Sequence, residues 1–134
     1  MPDAETFFDT NVLLYLLSSD EIKADRSEDL IANGGVISVQ VLNEFAAVSS
    51  RQLRMSWSEI TEALDPVRAI CRIEPVTVET HDRAIEIAAR YGYSIYDATI
   101  VASALRAGCK TLYSEDMQDG QVIDERLTIR SPFV

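Results

Sequence analysis

Apolar positions along the chain alternate between short continuous runs and runs spaced by three and four, the pattern of strands alternating with helices. Phe7-Phe8-Asp9 ends a first strand from Thr6 on a carboxylate, and Asn11 to Leu17 follows as a nearly all-apolar helix. A helix from Glu21 to Ala32 carries Ile22, Leu30 and Ile31 on one side, and Asn33-Gly34-Gly35 stops it. Val36-Ile37-Ser38 reads as a second strand, with Ser38 placed to cap a helix running from Val39 to about Leu53. After the break at Met55-Ser56-Trp57-Ser58, a helix reaches about Cys71. Leu53, Trp57, Ile60, Leu64 and Val67 fall mostly at helical spacing, which predicts a projecting αα-hairpin.

The second half repeats the alternation. Ile73-Glu74-Pro75-Val76 is an edge strand, because Pro75 cannot donate to a ladder. A helix from about Glu79 buries Ala84, Ile85, Ala88 and Tyr91 and ends at Gly92, and Ser94-Ile95-Tyr96-Asp97 opens an apolar helix through Leu105. Thr111-Leu112-Tyr113-Ser114 is a fourth strand, and a last one lies near Leu127 to Ile129. The expectation is an α/β fold, one domain over residues 1–134, with a mostly parallel sheet of about four to five strands covered on both faces.

Composition narrows the chemistry. Twenty-two acids against twelve bases give a formal charge of -10, which argues against broad attraction to nucleic acid or anionic lipid. A polyanionic substrate must be handled locally, and Arg51, Arg54, Arg68 and Lys110 are the bases that could assist. Cys71 and Cys109 are far apart and read as free thiols of a reduced compartment. His81, the single histidine, falls at the polar start of a helix and reads as a surface residue, which leaves little for a zinc site or a Ser-His-Asp triad. No apolar run approaches the roughly 20 residues that span a membrane, and no signal-peptide pattern opens the chain, so the expected location is cytoplasmic.

Candidate chemistry lies in the acids. In open α/β sheets ligands bind beyond the carboxyl ends of the strands, where strand order reverses. Asp9 and Asp116 both follow predicted strand ends, and Asp97 heads the helix leading into the second of these. Glu44 shares the apolar face of its helix with Val41, Phe45 and Val48, an expensive place for an unpaired carboxylate. Asp9 could instead serve only as a helix cap, and Asp97 fits a Ser94-x-x-Asp97 capping pattern. Glu115 and Asp119 are close enough in sequence to replace Asp116. Four acids in one crevice must take up protons or a divalent cation, and an all-oxygen donor set favours Mg²⁺ or Mn²⁺. Asn11 and Ser114 would then orient ligands or water. The corresponding chemistry is phosphodiester hydrolysis, and the chain lacks the P-loop pattern of a nucleotide triphosphatase.

Phe8-Asp9-Thr10-Asn11-Val12-Leu13, Asn43-Glu44-Phe45, Ile95-Tyr96-Asp97-Ala98 and Ser114-Glu115-Asp116-Met117-Gln118-Asp119-Gly120 together resemble the four acidic motifs of PIN-domain ribonucleases. The likeness runs in order through nearly the whole chain, at a length similar to the VapC toxins of VapBC toxin–antitoxin pairs. The resemblance implies a three-layer α/β/α fold and a metal-dependent endoribonuclease with Asp9, Glu44, Asp97 and Asp116 as metal-binding catalytic acids. It also implies a homodimer and a small antitoxin lying over the helical hairpin, with a basic residue in the acidic pocket. Two other readings compete. An aspartyl-phosphate phosphotransferase or receiver would use Asp9 as nucleophile, and a catalytically silent module would use the acids only to meet a basic partner.

Overall fold

A computed structural model describes residues 4–133. Six strands form one sheet among them: β1 (Thr6–Phe8), β2 (Gly35–Ser38), β3 (Cys71–Glu74), β4 (Thr111–Tyr113), β5 (Val122–Ile123) and β6 (Leu127–Arg130). Their spatial order is β3-β2-β1-β4-β6-β5, parallel except for the β5–β6 hairpin. The chain therefore moves outward from β1 through β2 to β3 and then returns to the other side of β1. The reversal falls between β1 and β4.

Successive side chains of a strand point to opposite faces, and Phe7 and Phe8 are both completely buried, as are Val36 and Ile37. Both faces of the central strands are thus covered, as the apolar runs predict. The helices are α1 (Thr10–Leu14), α2 (Glu21–Ala32), α3 (Val39–Arg51), α4 (Trp57–Ile70), α5 (Val78–Tyr91) and α6 (Ile95–Arg106). Several begin on the caps expected of them. Ser38 accepts from Val41 N–H, Ser56 and Glu59 close a reciprocal capping box, and Ser94 accepts from Asp97 N–H. Gly92, at φ 79°, ends α5 in the left-handed conformation.

The differences from the sequence reading have local causes. The first helix is α1 followed by a 3-10 turn over Tyr15–Leu17, closed by Ser18 N–H to Tyr15 O at 3.1 Å. Ile22 is exposed, because nine residues separate it from buried Ile31 and put it on the opposite side of α2. In α5 the buried stripe is Thr80, Ala84 and Ile87, at i, i+4 and i+7, and Ile85 faces outward. α3 and α4 pack against each other with Ile60, Leu64 and Val67 buried. Leu53 and Trp57, at the hairpin's tip, are exposed. β5, two residues long, is the strand the periodicity missed.

The hairpin that carries β5 is fastened to α5. Burial pushes the Asp124 carboxyl up, but Arg83 at 2.6 Å, the Tyr91 hydroxyl at 3.0 Å and the charge of Arg90 together hold it below the usual range. Cys71 and Cys109 are both buried and form no disulfide, and His81 is exposed on α5.

Close packing at Gly35 fixes β2 against β1, the strand that delivers Asp9. A Cβ at Gly35 would stand 2.5 Å from Phe8 Cε2 and 2.9 Å from the backbone oxygen of Thr6. Gly35→Ala is therefore expected to destabilise the protein by about 1–3 kcal/mol or more, read as a lowered denaturation midpoint at unchanged m-value.

Candidate active site at the sheet's switch point

β1 and β4 run parallel in the register Thr6↔Thr111, Phe7↔Leu112 and Phe8↔Tyr113. The ladder continues one step past the strands, with Asp9 N–H donating to Tyr113 O at 3.0 Å. That step sets Asp9 beside Ser114 at the carboxyl end of the sheet, where strand order reverses.

Asp9 is only 4% exposed. Its Oδ1 accepts the Thr10 N–H at 2.7 Å, and its Oδ2 accepts the Ser114 hydroxyl at 2.7 Å and the Asn11 amide at 3.4 Å. Asp9 is thus also the cap of α1, and it has more partners than a cap needs. Burial pushes its carboxyl up to about 7 against the pull of the Ser114 and Thr10 hydrogen bonds, and Asp97 and Glu44 add to the rise. Desolvation outweighs both of those hydrogen bonds here.

The other predicted acids come from three further elements. Glu44 is half-buried on α3, and Gln40 Nε2 donates to its Oε2 at 3.1 Å. Burial raises its carboxyl first, and the charges of Asp97 and Asp116 add to that. The Thr10 hydroxyl lies close enough to ease this rise, yet it closes no hydrogen bond of normal geometry and stays buried without a partner. Asp97, half-buried at the start of α6, is raised by burial and then by Asp116. Its backbone N–H is bonded to Ser94, while its carboxylate returns no bond to that cap.

Asp116 is exposed on the loop after β4, where Asn11 Nδ2 reaches its Oδ2 at 3.1 Å. Asn11 therefore bridges Asp9 and Asp116, and its Oδ1 also accepts Glu115 N–H at 3.4 Å. The two alternates for Asp116 are engaged elsewhere. Glu115 pairs with Lys23 at 3.5 Å, and Asp119 accepts the Ser131 N–H at 2.8 Å. Ser114 also accepts from Met117 N–H at 3.3 Å, which shapes the turn carrying Asp116.

No basic side chain figures among the groups that shift Asp9, Glu44 or Asp97. Lys110 stands at the start of β4, the opposite end of the strand from Asp116, and pairs with Glu5 at 3.4 Å. Arg68 lies in the last turn of α4, which feeds the opposite edge of the sheet. Among the described residues no three His, Cys, Asp or Glu side chains stand together as a finished metal cage. The donor set suits a hard divalent cation in its chemistry: oxygens only, mutually repelling, and with none of the four acids in a salt bridge among the described residues.

The PIN domain family model matches residues 6–119 of the chain. The chain belongs to the PIN domain family. A search of curated proteins returned no match. Among solved structures, this PIN domain is similar to a toxin–antitoxin complex from Klebsiella pneumoniae, at TM-score 0.71 and 17% identity, covering 95% of this chain and 97% of that one. It is also similar to VapC20 of Mycobacterium tuberculosis, a toxin that cleaves the sarcin-ricin loop. The TM-score there is 0.67 at 24% identity, with coverage of 83% and 89%. VapBC2 from Rickettsia felis, bound to promoter DNA, matches at TM-score 0.67 and 19% identity over 94% and 97% of the chains. The mostly parallel α/β fold of the PIN domain agrees with these structures.

Three residues of this region escaped the sequence reading. Gln40 precedes Glu44 by one helical step of four, a spacing that could have revealed it. Lys23 and Tyr15 meet Glu115 only through the fold. Lys23 Nζ sits 4.9 Å above the Tyr15 ring and 5.2 Å from that of Phe133, and the two rings meet edge-on at 4.9 Å. Burial and then Glu115 push the Tyr15 phenol up to about 12.

A carboxyl whose pKa is higher in the folded protein than in the unfolded chain makes ionisation a cost of folding. For Asp9 that cost begins above pH 4 and is complete just above pH 7, so stability in EDTA should fall as pH rises through this window. Asp9→Asn removes the cost. The variant is expected to flatten the decline and to gain on the order of 1–4 kcal/mol at pH 8, read by denaturant unfolding at a series of pH values.

Proposed function

We propose that this PIN domain, acting as a single unit over residues 1–134, is a metal-dependent endoribonuclease and the toxin of a toxin–antitoxin pair. The observation that carries the reading is the buried Asp9 at the switch point, accompanied by Glu44, Asp97 and Asp116 with no basic group among them. Family membership supports it, and so does the likeness to toxins and toxin–antitoxin complexes.

Asp9, Glu44, Asp97 and Asp116 are the residues that would hold Mg²⁺ or Mn²⁺. Held there, such a cation would supply Lewis-acid polarisation of a phosphoryl oxygen and a lowered pKa for water, the chemistry of phosphodiester hydrolysis near neutral pH. Ser114 and Asn11 fix the plane of the Asp9 carboxylate, and Gln40 fixes that of Glu44. Asp116 is exposed, and the Asn11 amide that also reaches Asp9 would hold it toward the ligand. Glu115 and Asp119 serve the surrounding loop through Lys23 and Ser131.

Partners follow from the same charge pattern. A basic residue of an antitoxin supplies the countercharge the pocket lacks, and a homodimer is the assembly the family resemblance suggests. The reduced thiols agree with a cytoplasmic setting, and no helix among the described residues is long and apolar enough to cross a membrane.

The purified protein is expected to cut unstructured RNA internally with added Mg²⁺ or Mn²⁺ and to stop in EDTA. Asp9→Ala should reduce cleavage to background, and Ser114→Ala should reduce it by about 10–100-fold through loss of carboxylate orientation. Gel analysis of an end-labelled RNA reads all three, and undiminished cleavage by Asp9→Ala would sink the proposal.

A further inference from the structure

A groove of about 280 Å³ opens directly beside the acids. Its near end is Asn11, the residue that bridges Asp9 and Asp116. Leu14 and Tyr15 form one wall, and Val48, Gln52 and Leu53 form the other. The floor is therefore apolar and the rim carries two amides.

The α3 wall is continuous with the acidic site. Glu44, Val48 and Arg51 stand at i, i+4 and i+7, one stripe of the helix, with Gln52 beside it. Arg51 lies about 10 Å along the axis from Glu44. Arg54 follows within the same exposed tip, held at φ 54°. In a chain of net charge -10, the α3 stripe thus runs from Glu44 at the acidic end, past the groove-lining Val48, to Arg51, the neighbour of groove-lining Gln52.

Two contacts hold the Tyr15 ring in place. Phe133 meets its ring edge-on, and Lys23 lies over it. A fixed aromatic beside apolar side chains, with amide donors and acceptors at the rim, is chemistry suited to an unpaired nucleobase. Such bases are held in single-stranded RNA by apolar and aromatic contact and read by hydrogen bonds to their edges. An apolar protein segment with a basic residue would fill the floor and meet the acids, but it would leave Arg51 without a counterion. A nucleotide chain meets both, with one phosphate at the cation-binding end and the next toward Arg51.

We infer that this groove is a base subsite, which seats the unpaired base next to the scissile phosphate while Arg51 receives the neighbouring phosphate. The inference rests on the endoribonuclease reading for its orientation, and on the groove itself for its ligand.

Binding separates the two. In EDTA, where cleavage stops, the full chain is titrated with fluorescently labelled oligouridylate, oligoadenylate and an abasic ribose-phosphate oligomer of the same length. The base-bearing oligomers should bind at least about ten-fold more tightly than the abasic one at equal phosphate number, because stacked bases contribute and phosphates are matched. Val48→Trp, which fills the groove, should erase that difference. Gln52→Ala, at an exposed position that leaves folding intact, should change the ratio between uridine and adenine oligomers. Arg51→Gln should lower the slope of log K against log salt by about one.

Equal binding of the abasic oligomer would overturn the subsite. So would a folded Val48→Trp variant that keeps the base preference, an outcome that assigns the groove to an apolar protein segment. Base-dependent binding without cleavage in Mg²⁺ would remove the nuclease reading and leave the subsite standing. Cleavage without base-dependent binding would do the reverse.

Discussion

Everything at the carboxyl edge of the sheet depends on one carboxylate kept almost free of water. Asp9 ends β1, caps α1 and joins β1 to the segment after β4 through Ser114. Each role alone is ordinary, since a helix cap contributes about 1 kcal/mol and a hydrogen bond to a charged group about 1.5–3 kcal/mol. Against them stands desolvation, which raises the carboxyl to about 7 and so exceeds what the bonds return. A side chain chosen for stability alone would not be a buried carboxylate. The site keeps one at a cost, which is the ordinary mark of a functional position.

The surrounding residues make sense as supports of that choice. Asn11 and Ser114 are neutral, so they orient Asp9 without satisfying its charge. Gln40 does the same for Glu44 from one turn earlier on α3. A cationic group within reach of these carboxylates would favour their charged forms, which the neutral amides and hydroxyl do less strongly. Lys23 is the nearby base, and two aromatic rings and Glu115 hold it at the rim.

Much of this was legible in the sequence, for reasons tied to range. Helical and strand periods are local, so the helices, the strands other than the two-residue β5, and the caps Ser38, Ser56 and Ser94 could be read directly. The position of Asp9 at a strand end was equally local. Which faces are buried was less legible: Ile22 and Ile85 are apolar yet turn outward, because the neighbouring elements decide which stripe is covered. The choice among Glu115, Asp116 and Asp119 depends on contacts made by Lys23, Asn11 and Ser131, and the first two lie about a hundred residues away. Spacing within the motif holds no information about them.

Charge distribution then constrains how a polyanion reaches the site. Two like charges 4 Å apart at an effective dielectric of 20 repel by about 4 kcal/mol, so a bare acidic crevice turns away phosphate as firmly as its own acids oppose one another. A surface of net charge -10 offers no long-range steering to offset this. On the reading proposed above, approach of a polyanion would rely on short-range contacts: a countercharge between the acids, apolar surface beside Asn11, and Arg51 at the end of α3. A base already paired keeps its edges occupied and its faces stacked, whereas an unpaired strand can turn a base into a side groove. On the nuclease reading proposed above, a crevice this acidic would therefore favour a strand that is locally unpaired.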